Sequence, residues 1–86
     1  MIDVTYCEAV ALLGAQEKKL KKVNGVRFVH DGYEYRVKYE GGFAAFVSIE
    51  RRPVGKKNFK YFAGVGAYDC WTVGEVMERV MRRVEK

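Results

Sequence analysis

Residues 33 to 50 read YEYRVKYEGGFAAFVSIE, and the parity of their side chains decides the fold. Tyr33, Tyr35, Val37 and Tyr39 occupy odd positions, while Glu34, Arg36 and Lys38 occupy even ones. Successive side chains of a strand point to opposite faces, so this run reads as a strand with one apolar and one wet face. Beyond Glu40-Gly41-Gly42 the alternation resumes, with Phe43, Ala45, Val47 and Ile49 again odd. A two-residue Gly41-Gly42 loop would pair odd residues with even ones and set Tyr39 opposite Ala44. A three-residue Glu40-Gly41-Gly42 loop pairs Tyr39 with Phe43, Val37 with Ala45, Tyr35 with Val47 and Tyr33 with Ile49. Only the latter gathers every apolar residue on one face, so a hairpin in that register is predicted, with a glycine in the left-handed position.

Working outward, Val26 to His30 reads as a short strand joined to this hairpin by a tight Asp31-Gly32 turn. Further upstream, Thr5-Tyr6-Cys7-Glu8 has the form of a capping box. Tyr6, Ala9, Val10, Leu13 and Leu20 share one helical face behind it, with Gln16 and Val23 near its edge. This predicts a helix through the lysine-rich residues 18–22, where the macrodipole favours cations, and a stop at Asn24-Gly25. An alternative makes Asn24-Gly25 a type I′ turn between strands at 19–23 and 26–30. Gly14 weakens the helix by about 1 kcal/mol relative to Ala.

Downstream, Arg51 to Lys57 reads as a loop punctuated by Pro53 and Gly55, and Asn58 to Gly64 as a fourth strand. Gly64, Gly66 and Asp69 mark another loop. Thr72-Val73-Gly74-Glu75 forms a second capping box, opening a helix with Val73, Val76, Met77, Val80 and Val84 as its apolar stripe. Glu75 with Arg79, and Glu78 with Arg82, are spaced for i,i+4 ion pairs. The expected fold is α+β, in the order α-β-β-β(-β)-α. It has a three- or four-stranded antiparallel sheet, with two amphipathic helices on one face. The whole chain, residues 1–86, reads as a single domain.

Composition bounds the function. A chain of 86 residues buries only somewhat more than ~60% of its unfolded surface, so the core is thin. Apolar content of 49% with twelve aromatic residues nevertheless argues against disorder. No apolar run approaches the ~18 residues of a membrane span. Asp3 and Glu8 interrupt the N-terminus, so no signal peptide is expected and the expected location is cytoplasmic. Cys7 and Cys70 are too few for a disulfide framework or a metal site, and no cofactor is expected.

The net charge of +5 is unevenly distributed. Lys18, Lys19, Lys21 and Lys22 form one cluster; Arg51, Arg52, Lys56, Lys57 and Lys60 form another, with no acid in either. The remaining residues carry seven basic groups against eleven acidic ones. The chain is thus mildly acidic apart from two basic clusters, and such clusters concentrate polyanions, nucleic acid first among them.

Catalytic constellations are sparse. His30 and Ser48 are single residues of their kinds, and nothing in the spacing brings Cys7 or Cys70 to His30 as a nucleophile–base pair. The plainer reading of both thiols is burial beneath a helix start. Gly64-Val65-Gly66 lacks the strand-to-helix context and third glycine of a phosphate loop. No enzymatic activity is expected.

The 51–60 stretch is the better candidate. Five cations there can meet successive phosphates, and Phe59 and Tyr61 flank Lys60 so that stacking and phosphate contact would alternate. The plain alternative is a solvated loop whose charge aids solubility. In the expected register Phe46 faces Arg36 on the outer side of the hairpin. There it would stack on a base, form a cation–π contact, seed a dimer, or be covered by Trp71 or a loop. The α-β-β-β-α order is similar to that of double-stranded-RNA-binding domains. That family carries a lysine cluster at the start of its second helix; the matching positions here are Thr72, Val73, Gly74 and Glu75, so those contacts do not carry over. Residues Arg51 to Lys60 form the one matching basic loop. The expected function is therefore a non-enzymatic module that contacts nucleic acid through the basic inter-strand loop. The alternative is a small protein-binding adaptor or inhibitor, of the kind frequent in phages and mobile elements, docking by its sheet face or edge strand.

Overall fold

Strand β1 (Arg27–His30), β2 (Tyr33–Glu40), β3 (Phe46–Pro53) and β4 (Lys60–Gly66) follow one another as an antiparallel sheet in the order β1-β2-β3-β4, and helix α1 (Val73–Glu85) follows them. This computed structural model describes residues 9–41 and 45–85. The α+β class and the antiparallel sheet are as the periodicity implies. Asp31 and Gly32, with φ of 51° and 82°, make the expected two-residue turn between β1 and β2.

The central hairpin departs from its predicted register. Tyr39 pairs with Val47, Val37 with Ile49, Tyr35 with Arg51 and Tyr33 with Pro53. The shift is four residues, so parity is preserved and, among the described residues, the same side chains face inward. The connection is longer than three residues, because the ladder ends at Glu40 opposite Phe46. The expected partner Phe43 lies outside the described residues, as does Ala44. The slip lets β3 run on to Pro53, so Arg51 and Arg52 are strand residues rather than loop residues. Strand β4 is shifted rather than lengthened: it starts at Lys60, after Asn58 and Phe59, and ends at Gly66.

The helix expected up to Val23 also ends early. Residues 9–11 are helical; the chain then turns at Gly14, with φ of 81°. Left-handed backbone ends a helix, and glycine adopts it without a Cβ penalty. Leu20–Val23 forms a separate 3-10 turn, so the alternative strand at 19–23 is not formed either. Asn24 and Gly25 instead pin this turn to β2: the Asn24 side-chain oxygen accepts the Tyr39 N–H at 3.0 Å, and the Gly25 N–H donates to the Val37 carbonyl at 2.8 Å. The Thr5 to Glu8 capping box, Tyr6 and Cys7 lie outside the described residues.

Helix α1 buries its predicted stripe of Val73, Val76, Met77, Val80 and Val84, together with Gly74 and Met81. These meet Phe28, Tyr35, Val37, Val47 and Ile49 from the sheet and Ala9 and Val23 from the N-terminal segment. The Thr72 half of the second capping box forms: the Thr72 hydroxyl accepts the Glu75 N–H at 3.2 Å, and the Glu75 carboxylate accepts from that hydroxyl at 3.3 Å. Glu78 pairs with Arg82 as the spacing predicts. Arg79 is not held by Glu75; it donates to both carboxylate oxygens of Asp69, at 2.6 and 3.0 Å, and to the Gly66 carbonyl at 3.1 Å. A fourth strand, and a first helix that ends by Gly14, separate this arrangement from the α-β-β-β-α order of double-stranded-RNA-binding domains.

Candidate nucleic-acid interface

The extension of β3 sends Arg51 and Arg52 to opposite faces of the sheet. Arg52 lies on the outer face, away from α1, opposite Glu34 in the ladder. It pairs with the Glu34 carboxylate at 2.8 Å, donates to the Lys57 carbonyl at 2.9 Å, and lies 4.3 Å from the Phe59 ring centre. Arg36, one pair further along, faces Glu50 and binds it through two nitrogens at 2.7 and 3.0 Å. Lys38 approaches the same carboxylate at 3.6 Å, and Arg27 pairs with Glu34. Phe59 covers this network, with the Arg36 guanidinium 4.2 Å and that of Arg27 5.7 Å from its centroid. Opposite charges directly across strands attract, and the negative face of an aromatic ring attracts guanidinium groups. The hydrogen bond from Arg36, more than the surrounding positive charge, holds the Glu50 carboxyl below the usual carboxylate range, partly opposed by burial. Arg36, Arg52 and Phe59 are thus engaged with one another.

Arg51 stays on the inner face, its guanidinium between the rings of Tyr33 at 4.2 Å and Phe62 at 4.3 Å. Lys60 is its partner in the β3–β4 ladder, and a bulge beside Ile49 and Glu50 places Phe62 between the pairs. The chain turns after Pro53 through Gly55, with φ of 91°, so Lys56 and Lys57 stand at the tip. Arg51, Lys56, Lys57 and Lys60 line an open groove of about 540 Å³ together with Tyr33 and Tyr61, and no acidic residue lines it. Among the described residues none of these four cations forms an ion pair.

Phe46 stands elsewhere, opposite Glu40 rather than Arg36, near the start of β3 and about 17 Å along the strand from Arg51. It is 38% exposed, and its ring tip lies over Gly64 of the neighbouring strand. The Tyr61 hydroxyl reaches the same spot, 2.8 Å from where a Cβ on Gly64 would sit. Trp71 gives no cover, being 75% exposed itself.

Five expected contact residues therefore meet at the groove: Arg51, Lys56, Lys57, Lys60 and Tyr61. Arg36, Arg52 and Phe59 are gathered on the outer face, and Phe46 lies toward the other end of the sheet. Sequence reasoning passed over Tyr33 as a groove residue and Glu34 and Glu50 as partners of the arginines. The alternation of charge along β2 held that signal, but the wrong register hid it.

The thiol of Cys70 is buried, and burial pushes its pKa up against the pull of Arg79. Among the described residues no cluster of three or more His, Cys, Asp or Glu is placed to hold a metal ion. No described helix is long and apolar enough to cross a membrane. Comparison with family models, curated proteins and solved structures gives no match.

Proposed function

We propose that this protein is a non-enzymatic module that binds nucleic acid electrostatically through Arg51, Lys56, Lys57 and Lys60. The observation that carries this reading is the groove itself: four cations without ion-pair partners among the described residues, around 540 Å³ of space with no acid in its lining. Elsewhere most of the arginines are matched to carboxylates, whereas these four cations are not. Cations that replace condensed counterions make affinity fall steeply with salt.

Salt titration of binding tests this. With four phosphate contacts, log K against log salt should fall with a slope of about −3. Replacing Arg51, Lys56, Lys57 and Lys60 together by Ala should abolish most of the affinity. Because Arg51 also packs between two rings, the triple Lys56→Ala, Lys57→Ala, Lys60→Ala variant gives a second reading, with folding checked by circular dichroism. A flat salt response, or unchanged affinity in the triple variant, would overturn the proposal.

A protein-docking role as an adaptor or inhibitor draws on a separate feature. Tyr68 and Trp71, 78% and 75% exposed, follow the edge strand β4. Pull-down with and without nuclease separates the two readings, since a nucleic-acid-bridged partner is lost on digestion and a directly docked one is kept.

A further inference from the structure

We infer that the strand taken up is single-stranded, with unstacked bases lying on the Phe46–Tyr61 pair of the open sheet face while phosphates run to Arg51 and the lysines of the β3–β4 turn. This rests on the nucleic-acid reading above and names the form of ligand that the same site takes.

Tyr61 joins the two parts. It lines the groove, and its hydroxyl reaches along β4 to Gly64, where the tip of Phe46 also lies. Both rings are accessible, at 38% for Phe46 and 65% for Tyr61. The residue beneath them has no side chain, and the ladder partner of Phe46 is Gly66, so two glycines keep this part of β4 low. Lys60 stands four residues, or about 13 Å, along the strand from Gly64. The two rings therefore meet beside Gly64, and the cations follow at the β3–β4 end of the same edge strand, where Tyr61 joins the groove. This suits a chain whose bases lie on the rings while its phosphates pass to the cations.

A duplex makes poor use of this arrangement. Its bases are already stacked, so an exposed ring has none to receive. The groove, at about 540 Å³, is in the ~300–1,000 Å³ range of clefts that enclose small ligands. That is room for a nucleotide or two. An acidic peptide would meet the lysines but leave the adjoining rings unused. Base–aromatic stacking tolerates any base, so little sequence preference is expected.

Fluorescence anisotropy with labelled oligo-dT, oligo-rU of equal length and a duplex of equal strand length tests the inference. Both single strands should bind more tightly than the duplex. Phe46→Ala, outside the groove, should weaken single-strand binding about tenfold and leave duplex binding unchanged. Tyr61→Ala should weaken single-strand binding about tenfold and duplex binding less, whereas Tyr61→Phe should bind like the wild type. Gly64→Ala, whose Cβ displaces both ring tips rather than backbone, should reproduce the loss in a folded protein. A preference for oligo-rU or oligo-dT would assign the strand as RNA or DNA, and either supports the inference. Equal or tighter duplex binding, no effect of Tyr61→Ala and Phe46→Ala, or displacement by poly-glutamate as readily as by unlabelled oligo-dT would overturn it. If the triple lysine variant also binds all probes like the wild type, the underlying nucleic-acid reading falls as well; if that variant loses binding, only the single-strand inference falls.

Discussion

At Gly74 a single absent atom decides the packing. The N-terminal segment crosses the start of α1 there, and a Cβ would come within 2.6 Å of the Ala15 nitrogen, 2.7 Å of the Gly14 nitrogen and 2.8 Å of the Gly14 carbonyl carbon. All three are main-chain atoms, which cannot rotate aside. The same approach lets the Gly74 N–H donate to the Ala15 carbonyl at 3.0 Å and the Val73 N–H to the Glu17 carbonyl at 2.7 Å, satisfying two of the helix's orphan donors. In an ordinary helix Gly→Ala stabilises by about 1 kcal/mol. Here overpacking, at about 1–3 kcal/mol, and the strained hydrogen bond outweigh that gain. Gly74→Ala should therefore lower the stability by about 2 kcal/mol in urea denaturation. An increase would mean that residues 14 and 15 do not lie against the helix. Gly64 makes the contrast: its would-be neighbours are side-chain tips that can move, so the same substitution there alters a surface and spares the fold.

Among the elements, β2 and β3 show both what parity reveals and where it stops. Alternation identified which side chains of β2 and β3 up to Glu50 face the core, because any shift by one residue would have turned them outward. A shift by two or four leaves parity untouched, and the sequence offered no strong penalty against it. The Gly41-Gly42 pair suggested the tighter loop, but the longer connection lets Glu34 face Arg52 and Arg36 face Glu50. Those cross-strand charges favour the observed register, and hydrophobic patterning does not count them. The first helix failed for a related reason: its apolar spacing persists past Gly14, while the backbone there is left-handed. The β2–β3 network has a pH signature. Glu50 has its folded pKa depressed, chiefly by the hydrogen bond from Arg36, so its contribution is present above the ordinary carboxylate range. That contribution is lost as the pH falls through this range and on through the lowered folded value. Asp69, held down by its hydrogen bond from Arg79, acts with the same sign. Melting temperature should thus drop on acidification, and Glu50→Gln should be less stable at neutral pH with a shallower acid limb. An acid limb as steep as in the wild type would show that Glu50 is not what titrates.

For the molecule as a whole, position matters more than total charge. The Lys18 to Lys22 cluster precedes Asn24, which bonds to Tyr39 at one end of β2. The groove includes Tyr33, at the other end of that strand. Six residues of strand separate the two ends by about 20 Å. The Debye length is about 10 Å at 0.1 M salt, so charges at the far end are largely screened from a ligand in the groove. The two clusters allow a comparison at constant net charge. Replacing Lys18, Lys19, Lys21 and Lys22 by Ala removes as many positive charges from the net +5 as replacing Arg51, Lys56, Lys57 and Lys60. If binding follows the groove, only the second set should lose most of its affinity and flatten the salt slope near 0.1 M salt. The first should stay within about threefold of wild type under those conditions and draw apart from it only at low ionic strength, where the screening length grows to about 30 Å. Equal losses in the two variants at 0.1 M would mean that the ligand senses the overall charge of the protein, and the groove would then have no special part in binding.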